Sequence, residues 1–305
     1  MSLQPSDSAR PPANAPTPTL TLSATPPASD AAPRRPHVRI EPETAGVRLD
    51  LADFWTYREL LYFLTWRDIK VRYKQTLMGA AWVILQPLAT MLIVTLVFNR
   101  LAGLDADGIP YPLFAYAGLL LWTYFNNAVG NSTASLVQNT SLITKVYFPR
   151  LFIPAAATAA GLVDFAVASI ILVVLAVYYG GALTWSLLLL PVFVALLVLL
   201  ALGVGLLVSA LTVKYRDLRH VLPFLLQVWF FASPVIYPLG KLPGRWYWLL
   251  AANPLTGIVE GFRAALVGRA LPLAHVAASV VIVALLLAVA LYVFRRLEAT
   301  FADVI

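Results

Sequence analysis

Six stretches of this chain are apolar over lengths that reach or nearly reach the twenty or so residues a helix needs to cross the hydrocarbon core of a bilayer. They cover residues 80–98, 111–130, 151–179, 186–212, 221–237 and 273–294, the fifth being short and aromatic. Period alone does not separate such runs from buried helices of a soluble protein; their number and length do. Composition agrees, since 60% of the 305 residues are hydrophobic and 12% charged, against about 25% charged in ordinary soluble domains. Too little polar surface is left to cover a water-soluble globule. The expected fold is an all-α integral membrane protein with six transmembrane helices spread over residues 80–305. With no cysteine in the chain, a disulfide scaffold is excluded.

The formal charge of +7 would suit a nucleic-acid binder if it were spread over one surface, but it is not. Six spans put both termini on one side. Seventeen of the 22 Lys and Arg fall on that side and five on the other. The positive-inside rule therefore predicts cytoplasmic N- and C-termini, and most of the positive charge is topological. No nucleic-acid partner is expected.

Ahead of the spans the chain changes character twice. Residues 1–50 hold ten of the 22 prolines and no long apolar run, which predicts a disordered cytoplasmic tail without a signal peptide. Residues 51–79 are mixed, with a helix expected from Phe54 to Gln75 that lies along the membrane as an amphipathic interface helix. Trp55, Tyr62, Trp66, Ile69 and Tyr73 form one stripe at helical spacing; Tyr57, Leu60, Leu64 and Val71 form another. One suits lipid headgroups and the other a protein surface.

Between the fifth and sixth spans, residues 238–272 are apolar and aromatic but broken at Asn253-Pro254, a step that separates two short helices. A re-entrant pair on the outer face fits, because irregular backbone at membrane depth survives only inside protein or along a wet cavity. An interfacial loop anchored by Trp and Tyr is the alternative. Asp164 is the one carboxylate within the spans, and an ionisable group at that depth is a functional candidate. It also suits a hydrogen-bond acceptor for a neighbouring helix.

No chemistry of its own is written in the chain. It has no phosphate-binding glycine loop followed by Lys and Ser or Thr, and Gly240-Lys241 lacks the upstream glycine. His37, His220 and His275 lack metal-ligand spacing. No serine sits in a nucleophile-elbow context. Neither a metal nor a cofactor is expected on this chain.

Several ordered segments then coincide. Gln138-Asn139-Thr140-Ser141-Leu142-Ile143-Thr144-Lys145-Val146-Tyr147-Phe148-Pro149-Arg150 follows the second span, and Val213-Lys214-Tyr215-Arg216-Asp217-Leu218 the fourth. Ser233-Pro234-Val235-Ile236-Tyr237-Pro238, Asn253-Pro254-Leu255 and Glu260-Gly261-Phe262-Arg263 come next. In this order, from about Phe54 to the C-terminus, they closely resemble the membrane subunit of ABC exporters for bacterial surface polysaccharides. O-antigen export is the closest branch, with capsule and teichoic-acid exporters nearby. The resemblance implies a half-channel in the bacterial inner membrane that homodimerises and binds two copies of a separate ATPase, which carries ATP and Mg. Hydrolysis there would drive a polyprenyl-linked glycan through the dimer.

The resemblance also implies where coupling occurs. The segment after the second span, with Asn139, Leu142, Lys145, Phe148 and Arg150, would dock in a groove of the ATPase. Lys214, Arg216 and Asp217 would make a smaller contact. Lys145 and Arg150 suit acidic groups on a partner or anionic lipid headgroups, and Phe148 suits either a partner groove or the headgroup level. The outer helix pair would close the periplasmic end, with Trp246, Trp248, Asn253, Pro254, Glu260 and Arg263 as gate candidates. A sugar chain needs stacking faces and hydroxyl partners, which Trp122, Tyr124, Asn126, Asn127, Trp229, Phe230 and Phe231 provide. Interfacial anchoring or helix packing is the alternative for these. A drug or lipid permease of the same architecture and an ion-coupled carrier remain as competing functions.

Overall fold

The computed structural model describes residues 57–74, 79–146, 148–180, 184–241, 244–298 and 301. The proline-rich tail, Trp55 and Tyr147 lie outside the described residues, as do the side chains of Trp246 and Trp248. Every described element is a helix or a turn.

In chain order, α1 is Arg58–Lys74 and α2 is Gly79–Val94, which continues as a π-helix over Thr95–Leu101. Helix α3 is Tyr111–Gln138, α4 is Thr140–Lys145 and α5 is Phe152–Tyr178. A 3-10 turn, Trp185–Leu189, leads into α6, Leu190–Lys214. Helices α7, Leu218–Phe231, α8, Gly244–Ala251, α9, Pro254–Val267, and α10, Leu273–Glu298, complete the chain.

Among the described residues, four segments are long and apolar enough to cross a membrane: Ala81–Leu101, Phe152–Tyr178, Trp185–Lys214 and Leu273–Glu298. Their outward faces carry bare Leu, Val and Ile, among them Leu92, Ile170, Val173, Val192 and Leu285. Helix α3 differs for a physical reason. Its 28 residues rise about 42 Å, enough to span, but Asn, Ser, Thr, Gly and Tyr dilute its hydropathy. It can carry them because it is the central helix: most of its residues from Tyr111 to Leu136 are buried against α5, α6 and their neighbours. The predicted fifth span, 221–237, is helical only as far as Phe231. Fourteen residues rise about 21 Å, short of a full bilayer core, and Ala232 onward turns away.

Close helix packing rests on small residues. At Gly205 of α6 an added Cβ would stand 2.4 Å from the Ser132 Oγ of α3, so the two backbones approach as only glycine permits. The described residues form three buried clusters. One fills most of the bundle; a second gathers Leu136, Ile143, Phe148, Leu151, Val213, Phe294 and Phe301 where α3, α6 and α10 end and α5 begins; the small third joins Leu64 of α1 to Phe152 and Ala156 of α5.

Helix α1 follows α5 in the same direction. Tyr57 tilts against Phe152 with centroids 6.1 Å apart, Leu64 packs on Phe152 and Ala156, and Arg72 and Tyr73 both reach the Asp164 carboxylate. Asp164 stands about 18 Å into α5. Its partners are therefore supplied by a helix ninety residues earlier in sequence. Burial, and then the bond to Asp164, pushes the Tyr73 phenol up to about 12, so it stays a donor at neutral pH. The two expected stripes separate as read at most positions. Tyr57, Leu60 and Leu64 face protein, while Tyr62 and Trp66 are exposed. Val71 and Tyr73 exchange sides, because the contact line runs from Leu64 to Arg72 and Tyr73.

Candidate functional site

The sequence candidates fall at two ends of the bundle. At the end where α3 and α6 finish, Asn139 joins α3 to α4: its Nδ2 donates to the Ser135 carbonyl at 2.8 Å, and its own carbonyl accepts from Leu142 and Ile143. Helix α4 is six residues long and turns Ile143 inward, Leu142 partly inward and Lys145 outward. Lys214, Arg216 and Asp217 are exposed on the link between α6 and α7. Lys214 lies 5.5 Å from the Tyr215 ring centroid. Among the described residues, Lys145, Arg216 and Asp217 make no side-chain hydrogen bond or ion pair. This end therefore presents free charge of both signs beside a helix too short to hold itself.

Two candidates here point the other way. Phe148 is buried in the second cluster against Ile143 and Leu151 rather than offered to a groove or to headgroups. Arg150 turns to the end of α10, where its backbone N–H donates to the Glu298 carboxylate and its guanidinium to the Glu298 backbone carbonyl. The turn at Pro149 folds both residues back onto the bundle.

Toward the opposite end, aromatic candidates from α3 and α7 meet. Trp122 lies 5.3 Å from Phe230, Phe125 lies 5.1 Å from Trp229 edge-on, and Phe230 leads to the exposed Phe231 at 5.2 Å. Trp229 Nε1 donates to Asn253 Oδ1 at 3.0 Å. Asn253 is the keystone of that corner. Its Oδ1 also accepts from the Leu255 N–H at 3.0 Å, capping α9 with Pro254 in the first helical position. Its Nδ2 donates to the Ala232 carbonyl and the Ser233 Oγ. The predicted break at Asn253-Pro254 is thus real, and one side chain ties it to the end of α7. Tyr124 is placed apart: it is buried on the other face of α3 beside Phe165, donating to the Thr158 carbonyl. Asn126 is half-buried and Asn127 exposed.

Arg263 is the most constrained side chain at this end. It is 2% exposed and spends its donors on main chain from two other segments. Nε donates to Phe114 O at 3.1 Å, Nη1 to Pro234 O at 2.7 Å and Nη2 to Val235 O at 2.5 Å. Nη1 also meets Glu260 Oε1 at 3.1 Å, and the guanidinium lies 3.4 Å over the Phe114 ring. The planar five-donor fork of arginine suits such a divergent set of acceptors; a lysine ammonium does not. Sequence reasoning singled out Arg263 but missed Phe114, Pro234 and Val235 as its partners. Gly118 makes the space: a Cβ there would stand 2.4 Å from Nη2 and 2.5 Å from Val235 O. Gly118→Ala is expected to push the guanidinium off its carbonyls, lowering the melting temperature of the detergent-purified protein and its abundance in membranes.

The described residues form a bundle of helices suited to a membrane, with a charged end and a clamped end, and similarity to known proteins takes the reading further. Residues 59–267 match the ABC-2 type transporter family, to which this chain belongs. The O-antigen export system permease protein RfbA of Myxococcus xanthus is 32% identical over 223 residues, covering 72% of this chain and 85% of that one. Its namesake in Klebsiella pneumoniae is 26% identical over 249 residues, 81% of this chain and 95% of the relative. The polysialic acid transport protein KpsM of Escherichia coli is 29% identical over 206 residues, 64% and 76% of the two chains.

Proposed function

We propose that this chain is the transmembrane subunit of an ATP-driven exporter that moves a polyprenyl-linked polysaccharide, of the O-antigen kind, across the bacterial cytoplasmic membrane. The observation that carries the reading is similarity, over 76–95% of the relatives' lengths, to proteins named for O-antigen export and for polysialic acid transport. The geometry supports it in three places. An aromatic strip with amide partners, Trp122, Trp229, Phe230 and Asn253, offers the stacking faces a pyranose chain needs. A charged end with unpaired Lys145, Arg216 and Asp217 suits docking of a separate ATPase. Asp164, the acid a proton-coupled carrier would use, is engaged by Arg72 and Tyr73.

In this reading α3 and α7 join the four long apolar helices as spans, α7 completed by the turn through Tyr237, to give six. Helices α8 and α9 form a re-entrant pair that closes the periplasmic end. Both termini are cytoplasmic, in keeping with the bias of Lys and Arg. Two copies of the chain pair around the glycan path, and two ATPase subunits, each with ATP and Mg, dock beneath. Lipid-linked glycan is predicted to accumulate on the cytoplasmic side when the gene is deleted and to return to the surface with the wild-type copy. An unchanged cell surface after deletion would favour a drug or lipid permease instead.

A further inference from the structure

Glu298 occupies an unfavourable position by the standards of its own helix. It closes α10, where the partial negative charge of a helix C-terminus disfavours a carboxylate. Its side chain crosses instead to the start of another helix. Oε1 accepts the Arg150 backbone N–H at 3.0 Å, just ahead of α5, where unpaired amides and a positive helix end favour an anion. Arg150 answers in kind: its guanidinium donates to the Glu298 backbone carbonyl, one of the last carbonyls a helix leaves without an internal partner. Each helix end caps the other. Arg295 holds the second carboxylate oxygen at 3.2 Å and so fixes the side chain. Beneath this exchange Phe301 is buried edge-on to Phe294, with centroids 5.5 Å apart, in the cluster that holds Ile143 of α4 and Phe148.

The connectivity gives this contact its importance. Movement of residues 139–150 reaches α3 and α5 through the chain itself. Among the described residues, α10 meets that segment through packing in the second cluster and through the Arg150–Glu298 exchange. Packed interfaces switch between discrete arrangements rather than yielding gradually, and a reciprocal cap makes the two helix ends move as one.

We propose that Arg150 and Glu298 form the joint that carries movement of the 139–150 segment into the last span, which makes Glu298 a positioning residue for coupled export. The proposal rests on the reading of this end as the ATPase dock. Its test uses the full chain co-produced with its ATPase, in cells lacking the chromosomal copy. Surface glycan is measured by periodate–hydrazide labelling of intact cells, and ATP hydrolysis on the co-purified complex. Glu298→Ala and the isosteric Glu298→Gln are expected to keep normal chain levels, normal ATPase recovery and continuing hydrolysis. Surface glycan relative to ATP hydrolysed falls about tenfold, within the usual range of coupling between sites, and less in Glu298→Gln. Should Glu298→Ala fail to reach the membrane, Glu298→Gln decides. A normal ratio in Glu298→Gln, or in Glu298→Ala that reaches the membrane, would overturn the joint, and so would loss of the Glu298→Gln chain or of its ATPase, which would mark a folding role. The dock is tested separately by Lys145→Glu with Arg216→Glu. Full ATPase recovery in that variant would sink the dock, whatever Glu298 does.

Discussion

Replacing Arg263 with alanine is expected to remove most of the protein from the membrane, the largest effect of any single substitution considered. The change takes the guanidinium from the buried Pro234 and Val235 carbonyls, which lie outside the helices, and from Phe114 O of α3. Each buried acceptor left without a donor costs about 1–3 kcal/mol. It also leaves Glu260 without its cation, a smaller cost because that carboxylate is a quarter exposed and solvent can reach it. These penalties share one site and do not add fully. Even in part they rival the roughly 5–15 kcal/mol by which folded domains are stable. Arg263→Lys keeps the charge but offers a point donor to acceptors on two segments, so an intermediate loss is expected. Immunoblots of isolated membranes and melting of the detergent-purified protein measure both variants. Wild-type abundance and melting for Arg263→Ala would show that the clasp is dispensable.

The second large effect is expected at the charged end. Lys145 and Arg216 are exposed and free of side-chain partners among the described residues, so reversing them disturbs nothing inside the fold. Placing two carboxylates against a surface that accepts two cations costs several kcal/mol. Lys145→Glu with Arg216→Glu is therefore expected to weaken ATPase binding by roughly a hundredfold, about 2.7 kcal/mol. Membrane abundance should stay at the wild-type level. Co-purification of the ATPase with the tagged chain reads the loss directly. Salt sensitivity of the wild-type complex provides a second check, because contacts between exposed charges are screened.

What the sequence disclosed, and what it hid, follows from the kinds of atoms involved. The break at Asn253-Pro254 was legible because both residues act locally: proline suits the first helical position and asparagine caps it. The meeting of Trp122 with Phe230 was legible as a set of suitable aromatic residues, though not as a pair. The partners of Arg263 were invisible, since they are backbone carbonyls and every residue carries one. Only Gly118 left a trace, an absent side chain where the guanidinium lies. Asp164 stood out as a lone acid, but its partners come from α1, and no spacing rule links positions so far apart. Phe148 suited a partner groove or the headgroup level, and Arg150 acidic groups on a partner or anionic lipid headgroups. The fold turns them inward, one into the second cluster and the other onto Glu298. The fifth apolar stretch ran on through Tyr237 in hydropathy, while the helix stopped at Phe231, where Ser233 and Asn253 fix the turn.

The measurement that bears most directly on ATP-driven glycan export is transport by purified components. The chain and its ATPase are reconstituted in proteoliposomes with lipid-linked glycan extracted from the deletion strain. ATP, added on the side that exposes the ATPase, is predicted to move glycan to the opposite leaflet, where an impermeant hydrazide label reads it after oxidation. A protonophore should leave the rate unchanged. Movement driven by an imposed proton gradient without ATP, or none with ATP present and hydrolysed, would contradict it.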